Sequence, residues 1–169
     1  MTTQTTTQIY ETMSVPADML ALRTIEQPFS LAVPGDAQIT VTCHTNARYH
    51  QKVTVEDVAN KKSWVFFGSG EDETPMEIQG SKEKGVVLLR ALESKPFFRT
   101  LRISCEYSSQ GPSGRLEKSD VLVPQMRCEY NGPQHLKRIS WEIFTEDGVD
   151  KDYNDSVLRI VAEVDKDLC

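Results

Sequence analysis

The chain has 169 residues, 38% of them hydrophobic and 26% charged, with a formal net charge of −6. That length suits one domain with enough core to fold unaided. The acidic balance argues against nucleic acid as a partner, because no basic surplus is available to displace counterions from phosphate. No uninterrupted apolar run exceeds four residues, as in Trp64–Phe67 and Val86–Leu89, so no membrane span is expected.

Residues 1–26 read as an appendage, partly disordered, and residues 27–169 as a single domain. The start, Met1-Thr-Thr-Gln-Thr-Thr-Thr-Gln8, lacks the charged and apolar stretches of a secretory signal. The expectation is a cytoplasmic protein, or one released by a non-classical route. Five threonines among the first seven residues predict a disordered beginning. A short helix is expected between Ser14 and Ile25, with Ser14 as cap, Pro16 in the first turn and Met19, Leu20 and Leu22 as an apolar face.

From Phe29 onward the dominant period is two. Ile39, Val41 and Cys43 alternate with Gln38, Thr40 and Thr42, and Val53 and Val55 with Lys52 and Thr54. The same pattern holds for Leu101, Ile103, Cys105 and Tyr107, for Ile139, Trp141 and Ile143, and for Leu158, Ile160, Ala162 and Val164. Alternation of this kind marks strands with one buried and one wet face. Turn-rich stretches separate the strands at Pro34–Asp36, Gly68–Pro75, Ser108–Gly114 and Asn131–Pro133. Many short strands without intervening helical pattern predict an all-β protein, an antiparallel β-sandwich.

Four cysteines (Cys43, Cys105, Cys128 and Cys169) show no CxxC spacing, and Cys43 and Cys105 fall on the apolar phase of their strands. Buried free thiols are the expectation. His44, His50 and His135 form no metal-ligand pattern, so zinc is not suggested.

One segment carries chemistry. Glu146 to Asp155 holds five carboxylates and one lysine, a local charge of −4. Groups of one sign packed into one loop repel each other unless a positive charge sits among them. Hard divalent cations take six to eight oxygen ligands, and clustered Asp, Glu and Asn supply them. Alternation at Asp150, Asp152 and Asn154 points oxygens to one side, Asp155 closes the cluster, and Gly148 leaves room for close approach. A solvated acidic turn is the plain alternative. Against it, the carboxylates are spaced rather than consecutive, and the loop is clamped between the strand patterns of Ile139–Phe144 and Val157–Val164. An EF-hand is excluded: counting from Asp150, the sixth residue is Asp155 rather than Gly, the twelfth is Val161 rather than Glu, and the flanks are strands. Four negative charges match two adjacent calcium ions, whose open positions can take vicinal hydroxyls of a sugar.

These residues resemble a family. Glu146-Asp-Gly-Val-Asp-Lys-Asp-Tyr-Asn-Asp155 is similar to the signature of the small two-calcium lectins that bind fucose and mannose, the fucose-binding lectin II family. Phe29-Ser-Leu followed by Ile39-Thr-Val-Thr-Cys-His-Thr-Asn46 resembles that family's first hairpin, which ends in a metal-binding asparagine. Ser108 to Val123 is similar to its central turn. The resemblance covers about residues 29–165. It implies a Greek-key sandwich of about nine strands and sugar recognition without catalysis. It implies further that Glu146, Asp150, Asp152 and Asp155 hold one calcium ion. Asn46, Asp152, Asn154 and Asp155 then hold the other, with Asp152 and Asp155 bridging. Asp147 would accept a hydrogen bond from the sugar, and Ala47 and Arg48 would stand where the family tunes its sugar preference. Gly148, Val149, Asp150, Asp152, Asn154 and Asp155 complete the implied sugar site. Val149 departs from the family's threonine, and Arg48 is larger than the small residues usual there. The family's chain ends ten residues after the last aspartate, and its terminal carboxylate reaches a partner's calcium site. Here that position is Asp165, followed by four residues to Cys169, so Asp165 or the Cys169 terminus would replace it in a homodimer or homotetramer.

The reading that follows is a calcium-dependent lectin for a monosaccharide or glycan with vicinal hydroxyls. The alternative is a calcium-stabilised interaction domain that binds no sugar. An enzyme is disfavoured, because neither a nucleophile–base arrangement nor a separated acid/base pair is visible.

Overall fold

The computed structural model describes residues 8–12, 24–81, 85–148 and 152–167. Among these there is no helix. The strands are β1 (Gln8–Thr12), β2 (Phe29–Pro34), β3 (Gln38–Asp57), β4 (Lys62–Pro75), β5 (Glu77–Ile78), β6 (Val86–Leu89), β7 (Phe98–Ser108), β8 (Glu117–Lys118), β9 (Asp120–Val121), β10 (Gln125–Asn131), β11 (His135–Glu146) and β12 (Ser156–Asp167). Every pairing is antiparallel.

The 20-residue strand β3 belongs to both layers of the sandwich. Its first part pairs with β12 through Gln38–Thr45 and with β6 through Ile39–Thr42. Its second part pairs with β7 through His50–Asp57 and with β4 through Gln51–Asp57. The register with β4 shifts between Thr45 and Ala47 and again between Ala47 and Gln51. Such irregularities bend a strand and increase its twist. One layer then runs β1-β10-β11-β12-β3-β6, and the other places β4 and β7 on either side of β3, with β2 and β8 beyond β7.

The inward side chains of both layers form one core. Ile39, Val41 and Cys43 meet Val53, Val55, Phe66, Leu101, Ile103, Cys105, Trp141, Ile143, Leu158 and Ile160. These are the alternating positions of the sequence, because every second side chain of a strand points to the same face. Cys43 and Cys105 are buried free thiols, and Cys128 is half-buried.

Several expectations change. Twelve strands are described where about nine are implied by the family resemblance, the excess being short pairs such as β5, β8 and β9 and the N-terminal β1. Gly68–Pro75, expected to be a turn between strands, is the distal part of β4. Its turn residues serve a bend within the strand, with Asp72 and Glu73 at positive φ (61° and 53°). The expected helix at 14–25 lies mostly outside the described residues. Thr24 is bridged to Leu122 and the Ile25 N–H donates to the Val121 carbonyl at 2.9 Å, so its last two residues are strand-paired. Of the segment read as an appendage, Gln8–Thr12 pairs with β10 and widens the first layer. No helix among the described residues is long and apolar enough to cross a membrane.

Candidate metal and sugar site

The site forms where three chain segments meet: the corner of β3, the end of β11 and the start of β12. Glu146 is the last residue of β11, Asp147 follows it, and Asp155 directly precedes β12. Backbone bonds fix the approach. The Asn46 N–H donates to the Asp155 carbonyl at 3.0 Å, and the Asp155 N–H to the Thr145 carbonyl at 3.2 Å. Thr45, fully buried, donates its Oγ1 hydrogen to the Asp155 carbonyl at 2.8 Å and accepts the Ala47 N–H at 3.1 Å. Asp155 is thereby stapled from both sides to the bend.

Glu146, Asp147 and Asp155 are 1%, 8% and 7% exposed. One carboxylate oxygen from each lies within 4.8 Å of the others. Backbone donors orient them: the Gly148 N–H reaches Glu146 Oε1 at 2.9 Å, the Tyr153 N–H reaches Glu146 Oε2 at 3.1 Å, and the Asp147 N–H reaches Asp155 Oδ2 at 2.6 Å. Backbone dipoles soften the repulsion of three carboxylates, but three like charges taken out of water still favour a cation. The donors are all hard oxygens, with no sulfur or imidazole in the group, which suits calcium or magnesium rather than a transition metal. The residues present therefore fit a hard divalent ion. The phenol of Tyr153 is pushed up by burial and by the charges of Asp120 and Glu146, which keeps it a neutral group beside the loop.

Asn46 stands against the same loop: its Nδ2 donates to the Asn154 carbonyl at 3.1 Å, and its Oδ1 accepts the Glu73 N–H at 2.6 Å. Asp152 accepts from Asn154, Oδ2 from the side chain at 2.7 Å and Oδ1 from the backbone at 3.3 Å. The structure thus places Asn46 and Asn154 beside the loop that carries Glu146 and Asp155. It adds Asp147 to the carboxylate cluster and holds the exposed Asp152 outside that close group. Val149 and Asp150 lie outside the described residues. Gly148 has φ 94°, and a Cβ there would meet nothing within 4 Å. Left-handed backbone of this kind calls for glycine.

Asp165 does not join this cluster. It lies ten residues along β12 from Asp155, roughly 33 Å in an extended strand. Its Oδ1 meets Nε2 of His135 at 2.6 Å, while Asp167 meets Nδ1 of the same ring at 2.8 Å. The bonds to Asp165 and Asp167 hold the imidazole above its ordinary range. Cys169 lies outside the described residues.

Beside the cluster opens a cleft of about 520 Å³ lined by Asn46, Ala47, Arg48, Tyr49, Glu71, Asp147 and Asp155. Arg48 is tied to Glu71 on its rim, Nε to Oε1 at 2.7 Å. Gln51, fully buried, donates to Asp147 Oδ2 and to the Tyr49 carbonyl, each at 3.4 Å. Sequence reasoning missed Thr45, Tyr49, Gln51 and Glu71. Glu71 fell in the stretch read as a turn, and a polar Gln51 at an inward strand position was the one signal available.

The described residues thus form a two-layer antiparallel sandwich with a buried carboxylate cluster at one corner and an open cleft beside it. The chain belongs to the family described as fucose-binding lectin II (PA-IIL), whose model matches residues 31–163. That is a lectin family rather than an enzyme family. A search of curated proteins by sequence found no match. Among solved structures the chain is similar to a mannose-binding lectin of Ralstonia solanacearum (22% identity, 83% of this chain and 99% of that one, TM-score 0.54). It is also similar to a Chromobacterium violaceum lectin in complex with α-methyl fucoside (20%, 82% and 99%, TM-score 0.52). A third is the C-terminal domain of a Burkholderia cenocepacia lectin (18%, 83% and 99%, TM-score 0.50). At these identities the likeness is one of fold.

Proposed function

We propose that the protein is a calcium-dependent lectin that holds fucose- or mannose-type sugars through two adjacent calcium ions. The observation that carries this reading is the buried group Glu146, Asp147 and Asp155, within 4.8 Å of one another beside an open cleft, in a chain of a lectin family. Fucose and mannose are the sugars to test, because the similar solved lectins are named for mannose binding or carry a fucoside.

Glu146, Asp150, Asp152 and Asp155 would hold one ion, and Asn46, Asp152, Asn154 and Asp155 the other. Bound calcium supplies coordination positions that vicinal hydroxyls take in place of water. The chain's own part is to fix the ligands. Backbone N–H groups of Gly148 and Tyr153 orient Glu146. The Thr45 and Asn46 donors lock the backbone of Asp155. Asp147, held by Gln51, would accept a sugar hydroxyl. No bond is broken, so no residue needs a catalytic role.

The reading extends to assembly: Asp165 of one subunit would enter the calcium site of a two-fold-related copy, leaving His135 to do so. A second reading, in which calcium only stiffens an interaction domain, draws on the Arg48–Glu71 pair at the rim of the cleft, whose charges already satisfy each other. Calorimetry with methyl α-fucoside and methyl α-mannoside separates the two. Binding in calcium that vanishes in chelator supports the lectin. Calcium-dependent melting without any sugar heat supports the second reading.

A further inference from the structure

The cleft is larger than a single sugar ring requires, and one wall of it is aromatic. Tyr49 lines it and is 36% exposed. Its ring lies nearly parallel to that of Tyr107, with an interplanar angle of 11° and centroids 6.2 Å apart. Tyr107 is anchored in turn, its hydroxyl donating to Glu117 Oε2 at 3.0 Å. Tyr49 follows Asn46 by three residues on the same strand, so its ring and the acidic cluster border one cleft. The two features are joined through one side chain, because the buried Gln51 amide donates both to Asp147 and to the Tyr49 carbonyl.

Pyranose rings present a face of C–H groups edged by hydroxyls. An aromatic face accepts the C–H side, and polar groups at its border accept the hydroxyls. Tyr49, with Tyr107 stacked on it, offers the first, and Arg48 and Glu71 on the rim offer the second. Because Tyr107 backs Tyr49 and is itself bonded, little side-chain freedom is lost when a ligand stacks there.

We infer that Tyr49, held in place by Tyr107, forms a subsite for the second ring of an α-linked oligosaccharide whose first ring occupies the calcium site. The inference rests on the lectin reading above. Its test is calorimetry in calcium with methyl α-mannoside and an α-linked mannobiose, read as the ratio of the two affinities. In the wild type the disaccharide is expected to bind about three- to tenfold more tightly, the scale of one aromatic contact. Tyr49→Ala and Tyr107→Ala bring the ratio to one, and Tyr49→Phe, which keeps the ring, preserves it. Melting curves in calcium establish that each variant is folded. Equal affinities in the wild type, or a ratio unchanged in Tyr49→Ala, overturn the subsite while leaving the lectin standing. Failure of both sugars to bind any variant or the wild type overturns the lectin reading and the subsite with it.

Discussion

Two regions of this molecule bury charge, and they do so in opposite ways. At the far end of β3, Asp57 and Arg99 are fully buried against each other. Arg99 also donates to the Arg90 carbonyl at 2.7 Å, and Asn60 to Asp57 Oδ2 at 2.7 Å. That site is electrically complete within the chain. Six residues back along the same strand, Gln51 touches Asp147, where three carboxylates gather. Here the described residues gather carboxylates within a frame of N–H donors. A buried ion pair holds a fold in one arrangement, whereas a buried cluster of one sign is a place for something else to bind.

Removing one partner of the complete site should have the largest effect. Arg99→Ala leaves Asp57 buried without its cation and should cost about 3–5 kcal/mol, equally in calcium and in chelator, as read by denaturant unfolding. Withdrawing calcium from the wild type should come next. An ion present at a hundred times its dissociation constant stabilises the folded state by about 2.7 kcal/mol per site. Melting temperature should therefore fall on chelation, and magnesium should restore less of it because it keeps its waters and a strict octahedron. Superimposable melts in calcium and chelator would remove the metal from the account.

Asp155→Asn sharpens the contrast, since its effect should change sign with the buffer. The amide oxygen can still accept the Asp147 N–H, but one negative charge is gone. In chelator the variant should melt no lower than the wild type, and in calcium it should lose most of the metal-dependent rise. The smallest effect concerns buried groups that need neither partner nor ion. Burial pushes the Cys105 thiol up to about 12 and that of Cys43 well above its ordinary value. Both stay neutral, and peptide mapping after alkylation at pH 8 should find them unlabelled in the native protein and labelled once it is unfolded.

The strands were legible from the chain alone. Ile39-Val41-Cys43, Leu101-Ile103-Cys105 and Leu158-Ile160-Ala162 declare a buried face because the side-chain period of a strand is a local property. The acidic stretch was legible too, since five carboxylates in ten residues demand an explanation wherever they fold. The path of β3 was not. A single strand that crosses from one layer to the other at Asn46 depends on register shifts against β4, and register is decided by partners far away in sequence. That bend is what sets Asn46 against Asp155, more than a hundred residues on, and what brings Glu71 and Tyr49 to the borders of the cleft. It also settles which acids are buried together: Asp147 joins Glu146 and Asp155, and Asp152 turns to Asn154 instead. The sequence by itself determined the strand faces and the supply of oxygen ligands. Only the tertiary structure decided their grouping, because distances between segments follow from non-local pairing and not from spacing along the chain.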